Sequence, residues 1–444
     1  MIIGQMYFGK CIDYSHNGKG VIKIDGEVLF VDNLIIDEEA TIMVQYKRAQ
    51  VYYGKIVKLL TKSVYRVEEY CNVCGSCGGC QFGKLLYEKT LDFKSKRVEV
   101  LLSSIYNKKI PIIENHSKLG YRNKIIIQTK TFSNKKFFGF YKEGTHDIVD
   151  INECSLVKNE INTFMKFIKP LLINSNLSFY DESSNQGLIK ALAVRFSDFT
   201  KELLVTLIVT KYSKEIFNDL FANIKKNKDK YRVSSLTVNI NPQTNNILFG
   251  PRTIHIFGHG HIEEQINGYR FKLSTTSFFQ VNTIDATVLF SEAIAMAKLS
   301  KNDIVIDAYC GVGTIAILAS KYCQRIIGVD IVSSAIIDAN MNKKDNNISN
   351  IDFVCQDINS YILNNKHFFD CVFVDPPRKG LDTTFIEVLL TILPKKIVYI
   401  SCSPETLTRD LLLLSSHYEI IDVKLVDMFA YTYNIESIVA LQRK

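Results

Sequence analysis

The spacing of hydrophobic positions changes from a strand pattern to a helical one within the first hundred residues. Residues 1–62 alternate apolar and polar side chains between glycine-containing turns, as in FGKCIDYSHNGKGVIKIDGEVLFVDNLI. This pattern predicts short strands joined by tight turns, which is typical of a small β-barrel. Near 84–109 the apolar side chains recur at helical spacing. Residues 110–275 then mix strands with an apolar helix near 156–173, so we expect an α+β middle region.

After residue 276 the pattern becomes a regular alternation of apolar strands and helical segments. The predicted strands cover 303–308, 325–330, 351–355, 371–375 and 397–401. Strands that alternate with helices form a doubly wound parallel sheet of the α/β class, which binds ligands beyond the carboxyl ends of its strands. We therefore expect the polar side chains at four strand ends to converge at one edge. These are Asp307, Asp330, Asp375 and Cys402.

Length and composition narrow the class of protein. A chain of 444 residues exceeds the roughly 250–300 residues that one hydrophobic core sustains, so two or three domains are expected. A hydrophobic content of 47% with 23% charged residues describes a folded protein and not a disordered one. The start of the chain lacks a signal-peptide pattern and no long apolar run is present, which predicts a cytoplasmic protein with no membrane segment. The net charge of +8 permits a polyanionic partner without requiring one.

A glycine-rich turn, DAYCGVGT (307–314), follows the first strand of the predicted sheet. Gly311 and Gly313 permit a tight turn and a close approach of the backbone to a ligand. Asp330 follows about 20 residues later, where an acidic side chain can bind ribose hydroxyls, and Asp357 follows the third strand. The turn lacks the Lys-Ser/Thr end of a P-loop, and its acidic neighbours favour a cationic nucleoside over a phosphate ligand.

Two further motifs follow the fourth and fifth strands. In VDPPRKGL (374–381) two prolines fix the backbone after Asp375 and present its carboxylate rigidly. In YISCSPETLTRD (399–410) Cys402 comes directly before a helix that is predicted to begin at Ser403 and Pro404. The positive end of this helix is expected to stabilise a thiolate. Eleven cysteines are an odd number, and without a secretion signal they favour metal or catalytic use over a disulfide framework.

Five motifs in one order resemble those of the RNA uracil-C5 methyltransferases, which use S-adenosylmethionine. They are SFFQVN (277–282), DAYCGVGT, VDPPRKGL, SCSPETLTRD and DMFAYTYNIES (427–437). The resemblance implies an RNA-binding barrel of the TRAM or OB-like type at 1–62, a middle α+β domain with a cysteine cluster at 63–275, and a Rossmann-like methyltransferase domain at 276–444. The helix near 84–109 is expected to pack on the catalytic domain.

The resemblance also implies the residues of the site. It assigns the nucleophile to Cys402 and the base that removes a proton to Glu436. It places the methyl donor against Gln280, Tyr309, Thr314, Asp330, Asp357 and Asp375. Family members often carry other residues in the segment that precedes Glu436, so this loop is expected to differ in shape. The departures are at Ala430, Tyr431, Tyr433 and Asn434.

These residue types suit the reaction that the resemblance implies. Carbon 5 of uracil is a poor nucleophile until a thiolate adds to carbon 6, after which it can attack the sulfonium methyl group. Cys402 would supply the thiolate, and Glu436 would remove the proton from carbon 5 before the thiol leaves. The target base has to leave its stack to reach both groups, and Phe278 or Phe279 is expected to stack on it.

Four closely spaced cysteines predict a metal site. Cys71, Cys74, Cys77 and Cys80 follow a C-x2-C-x2-C-x2-C spacing among glycines. The resemblance selects Cys71, Cys77, Cys80 and the distant Cys154 as ligands of a [4Fe-4S] cluster and leaves Cys74 outside the set. Zinc bound by the four local thiols is the alternative.

Basic segments outside the motifs suggest RNA contacts. In GYRNK (120–124) we interpret Arg122 and Lys124 as RNA contacts, with ordinary surface charge as the alternative. For the charged face of the first long helix, with Lys94, Lys96 and Arg97, exposure to solvent is favoured over phosphate binding.

Several functions compete with uracil-C5 methylation. An amino-group N-methyltransferase also places an acid before Pro-Pro but needs no thiol after the fifth strand. An RNA cytosine-C5 methyltransferase also uses a cysteine, but in a Pro-Cys motif after the fourth strand, where this chain has Pro376-Pro377. A non-catalytic RNA-binding or iron-sulfur protein would not require Cys402. For the substrate, 23S ribosomal RNA is favoured and transfer RNA is the alternative, and a monomeric protein is expected.

Overall fold

A computed structural model of the protein describes residues 1–133, 135–245, 247–365 and 369–444. Its contacts divide the chain into two units. The first unit includes the N-terminal hundred residues and two short segments from later in the chain. The first unit contains Met1–Val100, Phe140–Val149 and Phe429–Asn434, and the second contains Leu101–Gly139, Asp150–Met428 and Ile435–Lys444. Among the described residues no helix combines the length and apolarity that a membrane crossing needs.

The first unit contains a six-stranded sheet. Its strands are β1 (Met6–Lys10), β2 (Asp13–Tyr14), β3 (Gly20–Ile24), β4 (Glu27–Val31), β5 (Glu39–Arg48) and β6 (Val51–Thr61). They are ordered β1-β5-β6-β4-β3-β2. The alternation read from the sequence sets the faces, because Ala40, Ile42 and Val44 of β5 are all fully buried while their neighbours are partly exposed. This sheet agrees with the predicted OB-like barrel.

The helix α1 (Tyr87–Leu102) follows the sheet. Its Lys94 is fully buried and donates a hydrogen bond to the carbonyl oxygen of Phe429 at 3.0 Å. Arg97 donates to the carbonyl oxygen of Tyr433 at 3.1 Å. The prediction of a solvated helix face is therefore wrong for Lys94, whose charge is satisfied by the backbone of the segment Phe429–Asn434.

The middle of the chain contains a mixed sheet. The elements between residues 112 and 274 are β7 (Ile112–Ile113), β8 (Lys124–Phe132), β9 (Lys135–Tyr141), β10 (Ile148–Asp150), α2 (Asn159–Ile173), β11 (Ile189–Phe196), β12 (Leu203–Val209), α3 (Lys214–Lys226), β13 (Val233–Ile240), β14 (Arg252–Phe257), β15 (His261–Ile266) and β16 (Tyr269–Ser274). Strands β9-β8-β11-β12-β13-β14 are neighbours in this order. Every residue of β12 is buried, as its continuous apolar sequence LLVTLIV predicts for a strand that is covered on both faces.

The second unit ends in the predicted doubly wound region. Its elements are α4 (Thr283–Ala297), β17 (Ile304–Ala308), α5 (Thr314–Ala319), a 3-10 turn (Ser320–Tyr322), β18 (Arg325–Asp330), α6 (Ser333–Asp345), β19 (Ile351–Cys355), α7 (Ile358–Asn364), β20 (Cys371–Val374), α8 (Thr383–Ile392), β21 (Lys396–Ser401), α9 (Pro404–Leu414), β22 (Tyr418–Val426) and β23 (Glu436–Arg443).

One sheet contains all the strands of this region, in the order β19-β18-β17-β20-β21-β23-β22-β7. The first five strands of that order are parallel, and β23 then pairs antiparallel with both β21 and β22. The direction of connection reverses between β17 and β20. Ligands of open α/β sheets bind at this switch point, beyond the carboxyl ends of the strands.

Candidate active site

The carboxyl ends of four adjacent strands bring the predicted polar side chains to one edge of the sheet. Asp307 lies in β17 and Asp330 ends β18, while Asp375 and Cys402 directly follow β20 and β21. These strands are neighbours in the order β18-β17-β20-β21. The convergence follows from the parallel direction of the strands.

The glycine turn after β17 has the backbone that only glycine adopts easily. Gly311 and Gly313 have φ angles of 53° and 82°. A Cβ atom at Gly313 would lie 2.4 Å from the ring of Phe353, whereas one at Gly311 would meet no protein atom within 4 Å. The amide of Gly311 donates to Oδ2 of Asp330 at 2.9 Å. This bond fixes the turn and leaves open space in front of Gly311, where a ligand can approach the backbone.

Two carboxyl groups beside the turn, one buried and one partly exposed, favour a cationic ligand. Asp307 is 1% exposed, and its Oδ2 accepts a hydrogen bond from the amide of Ala316 at 2.9 Å while its Oδ1 has no partner among the described residues. Burial, with smaller effects of Asp375 and Asp330, raises the pKa of Asp307 to about 8. Burial also raises the pKa of Asp375 to about 7. A nearby positive charge would stabilise both carboxylates, which suits a sulfonium group.

Cys402 is partly buried between the end of β21 and the start of α9. Pro404 is the first residue of α9 and Ser403 precedes it in an extended conformation, as predicted. The predicted thiolate, however, is not supported. Burial first, and then the charges of Glu436 and Asp375, raise the pKa of the Cys402 thiol to about 11, while Arg378 lowers it. The positive end of α9 is outweighed because an uncompensated charge is costly in this site.

Strand pairing places Glu436 beside Cys402. Ser437 of β23 pairs with Ser401 of β21 in an antiparallel register, so Cys402, which follows Ser401, and Glu436, which precedes Ser437, lie at the same end of the two strands. Glu436 is 4% exposed. Burial and the charge of Asp375 raise its pKa well above the usual value, and Arg378 opposes this effect. The site therefore combines a thiol, two carboxyl groups and a guanidinium whose charges act on one another.

Comparisons with known proteins agree with this geometry. A sequence model of the family described as tRNA (Uracil-5-)-methyltransferase matches residues 86–444. The chain belongs to this family. It is 35% identical over 443 residues to an uncharacterized RNA methyltransferase of Listeria innocua, covering 97% of this chain and 96% of that protein. It is also 35% identical over 445 residues to an uncharacterized RNA methyltransferase of Staphylococcus aureus MRSA252, with 98% of both chains covered.

A solved structure shares the fold over nearly the whole chain. It is the Pyrococcus abyssi tRNA (uracil-54, C5)-methyltransferase in complex with S-adenosyl-L-homocysteine. The TM-score is 0.77 with 24% sequence identity, and 98% of this chain and 100% of that chain are covered. The likeness confirms the predicted fold class, and membership of the uracil-5 methyltransferase family makes the chain a methyltransferase that uses S-adenosylmethionine.

The remaining residues predicted to contact the methyl donor lie in several elements of the second unit. Tyr309 follows β17 with a φ angle of 63°, and its ring packs edge-on against Phe385 with centroids 5.9 Å apart. Thr314 is the first residue of α5, and Gln280 lies in the segment between β16 and α4. Asp357 is the N-cap of α7 and accepts hydrogen bonds from the amide and hydroxyl of Ser360 at 3.0 and 3.1 Å. Asp357 therefore caps helix α7, and this structural role explains the aspartate without a bound ligand.

The two phenylalanines of SFFQVN have different environments. Phe279 is 5% exposed and packs against Phe271 with ring centroids 5.8 Å apart. Phe278 is 72% exposed. An aromatic ring that faces solvent is free to stack on a base, so of the two residues that the sequence proposed, Phe278 is the candidate and Phe279 is part of the core.

Sequence reasoning missed a clamp that connects two of the family motifs. Asp410 in α9 is fully buried, and its Oδ2 accepts hydrogen bonds from the amide of Leu381 and the hydroxyl of Tyr399, both at 2.8 Å. Arg409 donates to the carbonyl oxygens of Lys379 and Leu381 at 3.0 Å. These bonds hold the loop after Pro376-Pro377 against the helix that follows Cys402. The Arg-Asp pair at the end of SCSPETLTRD was the available signal.

The structure does not support the predicted [4Fe-4S] cluster. In the described part of the chain no three His, Cys, Asp or Glu side chains are arranged to bind a metal ion. Cys74, which the predicted ligand set leaves out, shares a hydrogen bond with Cys80, which the set includes.

Proposed function

We propose that the protein transfers the methyl group of S-adenosylmethionine to carbon 5 of a uridine in RNA, through a transient bond between Cys402 and carbon 6 of the base. The pairing of Ser401 with Ser437, which brings Cys402 and Glu436 to the same strand ends, is the observation that carries the proposal. An amino-group N-methyltransferase would need neither side chain. A thiol and a carboxyl group together are what addition to carbon 6 and proton removal from carbon 5 require.

The electrostatics define the resting state of the two groups. With a pKa raised to about 11, Cys402 is a thiol near neutral pH in the free enzyme, and burial raises the pKa of Glu436 above its ordinary value. The methyl donor supplies the transferable methyl group together with a positive charge. A positive charge beside Asp375 and Glu436 favours their ionised forms, so we expect the assembled complex to strengthen Glu436 as a base.

The methyl donor is expected at the glycine turn. The proposed contacts are Gln280, Tyr309, Thr314, Asp330, Asp357 and Asp375. The unpaired Oδ1 of buried Asp307, the open space before Gly311 and the two raised carboxyl pKa values support a cationic nucleoside there. In this arrangement Asp330 would accept from the ribose, since its carboxylate already lies at the turn through the amide of Gly311.

For the substrate we propose 23S ribosomal RNA, on the resemblance of the N-terminal barrel and of the cysteine motif to enzymes of that class. Transfer RNA is the second candidate, favoured by the description of the matching family. Mass spectrometric mapping of 5-methyluridine in both RNAs from a deletion strain distinguishes them. A mark lost from transfer RNA with ribosomal RNA unchanged would contradict our first choice.

Covalent trapping tests the chemistry directly. Glu436→Gln should accumulate a protein-RNA adduct that survives denaturation, because methylation proceeds but the proton on carbon 5 stays in place. Cys402→Ala should form neither adduct nor product. Cys355→Ala is the matched control, since Cys355 is an exposed thiol at the end of β19 and should leave activity unchanged. Product formation by Cys402→Ala would exclude the proposed nucleophile.

A further inference from the structure

Two basic side chains lie side by side in the mixed sheet. Arg195 of β11 pairs in register with Lys124 of β8, so both side chains leave the sheet on the same face. Arg195 is only 5% exposed, and its Nη2 donates to the carbonyl oxygen of Ser277 at 2.7 Å. Its Nη1 has no hydrogen-bond partner among the described residues. A buried guanidinium donor without an acceptor is rare and indicates a missing ligand.

Among the described residues, no negative charge is found to act on Lys124. Its ammonium lies 5.5 Å from the ring centre of Phe249, a residue of the segment between β13 and β14. The charged groups that act on it are Arg195 from β11 and Arg122 from the segment before β8, and both are positive. Burial and these charges lower the pKa of Lys124 to about 6. Such a cluster costs stability in the free protein, so its retention indicates an anion.

Arg195, unlike Lys124, has carboxyl groups near it. Glu264 of β15 and Asp338 of α6 act on its charge, although burial still lowers its pKa. Neither carboxylate occupies the free Nη1 donor. Glu264 instead accepts from the amides of Asp198 and Phe199, and Asp338 accepts from Ser274 and Ser277. The Nη1 donor of Arg195 therefore has no acceptor among the described residues of the chain and can bind one from a ligand.

Hydrogen bonds connect this pair of cations to the motif that carries Phe278. The amide of Asn123 donates to the carbonyl oxygen of Val281 at 2.7 Å, and its side chain donates to Thr283 at 2.8 Å. Arg195 bonds the carbonyl of Ser277 at the other end of SFFQVN. The segments that carry the two cations are thus joined by hydrogen bonds to the segment whose exposed ring is the candidate stacking surface for the target base.

We propose that Arg195 and Lys124 bind one phosphate of the RNA substrate next to the target nucleotide. The proposal rests on the proposed function in that it assumes an RNA substrate. A guanidinium with an unused donor and an ammonium on the same face suit the oxygens of a phosphodiester, which accepts from both. The sequence had suggested Lys124 as an RNA contact, but it gave no indication of Arg195.

Phosphate binding at this site takes up a proton. Lys124 is largely neutral above pH 6 in the free protein, and a bound phosphate stabilises its ammonium form. The pKa of Lys124 therefore rises on binding. Affinity for RNA should be highest near pH 6 and should fall as the pH increases, by at most tenfold per pH unit for one proton.

The experiment measures binding of a fluorescently labelled oligouridylate to the whole protein by anisotropy. Lys124→Met should bind roughly tenfold more weakly, lose the pH dependence above pH 6 and show a salt slope smaller by about 0.7, the value for one phosphate contact on single-stranded RNA. Below pH 6, where Lys124 carries its charge in the free protein, the melting temperature of Lys124→Met should exceed that of the wild type, because a partly buried charge beside two other cations is removed. Arg195→Lys, which keeps the charge but not the second donor, should show an intermediate loss.

Lys190→Met is the matched control. Lys190 also lies on β11, and its ammonium lies 4.6 Å from the ring centre of Tyr180, but it bonds the carbonyl of Gln243. Its loss should leave both the affinity and the salt slope unchanged. Wild-type binding without pH dependence, or equal affinity of Lys124→Met and wild type, would overturn the phosphate site.

The adduct assay separates this outcome from failure of the chemistry. If Glu436→Gln forms the adduct while Lys124→Met binds RNA as tightly as the wild type, only the proposed phosphate site is wrong. If Lys124→Met binds RNA weakly while Glu436→Gln forms no adduct, only the proposed reaction is wrong.

Discussion

At the scale of single residues, burial and neighbouring charge decide the protonation of Cys402, the proposed nucleophile. A helix N-terminus stabilises an anion by about 0.3–1 kcal/mol at an exposed site. Around Cys402 that effect is opposed by burial and by Glu436 and Asp375, and the pKa of the thiol rises to about 11. A thiol that is protonated in the free enzyme is protected from alkylation and oxidation, because the thiolate is the reactive form.

The first prediction concerns this coupling. The ionised form of Glu436 raises the pKa of the Cys402 thiol, so Glu436→Gln should lower this pKa and make alkylation by iodoacetamide faster at alkaline pH, where the carboxyl group ionises in the wild type. The rate should also rise with pH up to about 11 in the wild-type enzyme, because only the thiolate reacts. Peptide mapping by mass spectrometry measures alkylation at Cys402, with the exposed Cys355 as the internal reference. A slower reaction in the variant would contradict the coupling.

At the scale of elements, the turn after β17 and the loop after β20 need different supports. The glycine turn is held by its own backbone angles and by Asp330. The Pro-Pro loop is held from outside, by Asp410 and Arg409 of α9. Hydrogen bonds therefore hold the loop that presents Asp375 against the helix that follows Cys402, although about 30 residues separate these segments in the chain.

A second prediction uses the two glycines as a matched pair. Gly311→Ala meets no protein atom and should cost about 1–2 kcal/mol of unfolding free energy from backbone strain alone. Gly313→Ala should cost more, because its Cβ would also meet the ring of Phe353. Calorimetric titration with S-adenosylhomocysteine should nevertheless show lost binding in Gly311→Ala, whose added methyl enters the ligand space. Normal titration of that variant would place the cofactor elsewhere.

The third prediction tests the clamp. Asp410→Asn leaves Arg409 without its carboxylate and weakens the bonds from Leu381 and Tyr399, which should cost about 2–4 kcal/mol in urea denaturation. Glu419→Gln provides the control, since this carboxylate is exposed on β22 and should change stability by less than about 0.5 kcal/mol. Equal stability of the two variants would show that the clamp contributes little.

At the scale of the whole molecule, buried acids make stability depend on pH. Asp307 has a folded pKa of about 8 against an ordinary value of 3.8. The folded state holds this proton more tightly than the unfolded state, so its contribution to stability is complete below pH 3.8 and decreases as the pH rises toward 8. Asp375 acts in the same direction up to about pH 7.

The fourth prediction follows from that sign. The melting temperature of the free protein should fall between pH 5 and pH 8, and Asp307→Asn should flatten this dependence because its amide does not ionise. Differential scanning fluorimetry with and without S-adenosylmethionine measures the effect, and the stabilisation by this cation should grow with pH as the carboxylates ionise. A melting temperature that rises equally in both proteins would contradict the assigned burial of Asp307.

The sequence predicts the secondary-structure elements more completely than the contacts of individual side chains. The five strands of the doubly wound region lie within one residue of their predicted bounds, because apolar runs between helices and turn residues mark buried parallel strands clearly. The site residues at strand ends follow from the same pattern. Arg195 and Asp410 could not be predicted as partners of Ser277 and Leu381, because each contact joins segments that are distant in sequence.

The sequence by itself determined the alternation of strands and helices, the positions of the acids and the thiol at strand ends, and the family, since these depend on local spacing and short motifs. Tertiary structure alone decided the raised pKa values of Cys402 and Glu436, the burial of Lys94, the exposure of Phe278 over Phe279, and the close pairing of Lys124 with Arg195. These properties depend on what surrounds a side chain in space. Desolvation and the charges of distant segments are set only when the chain has folded.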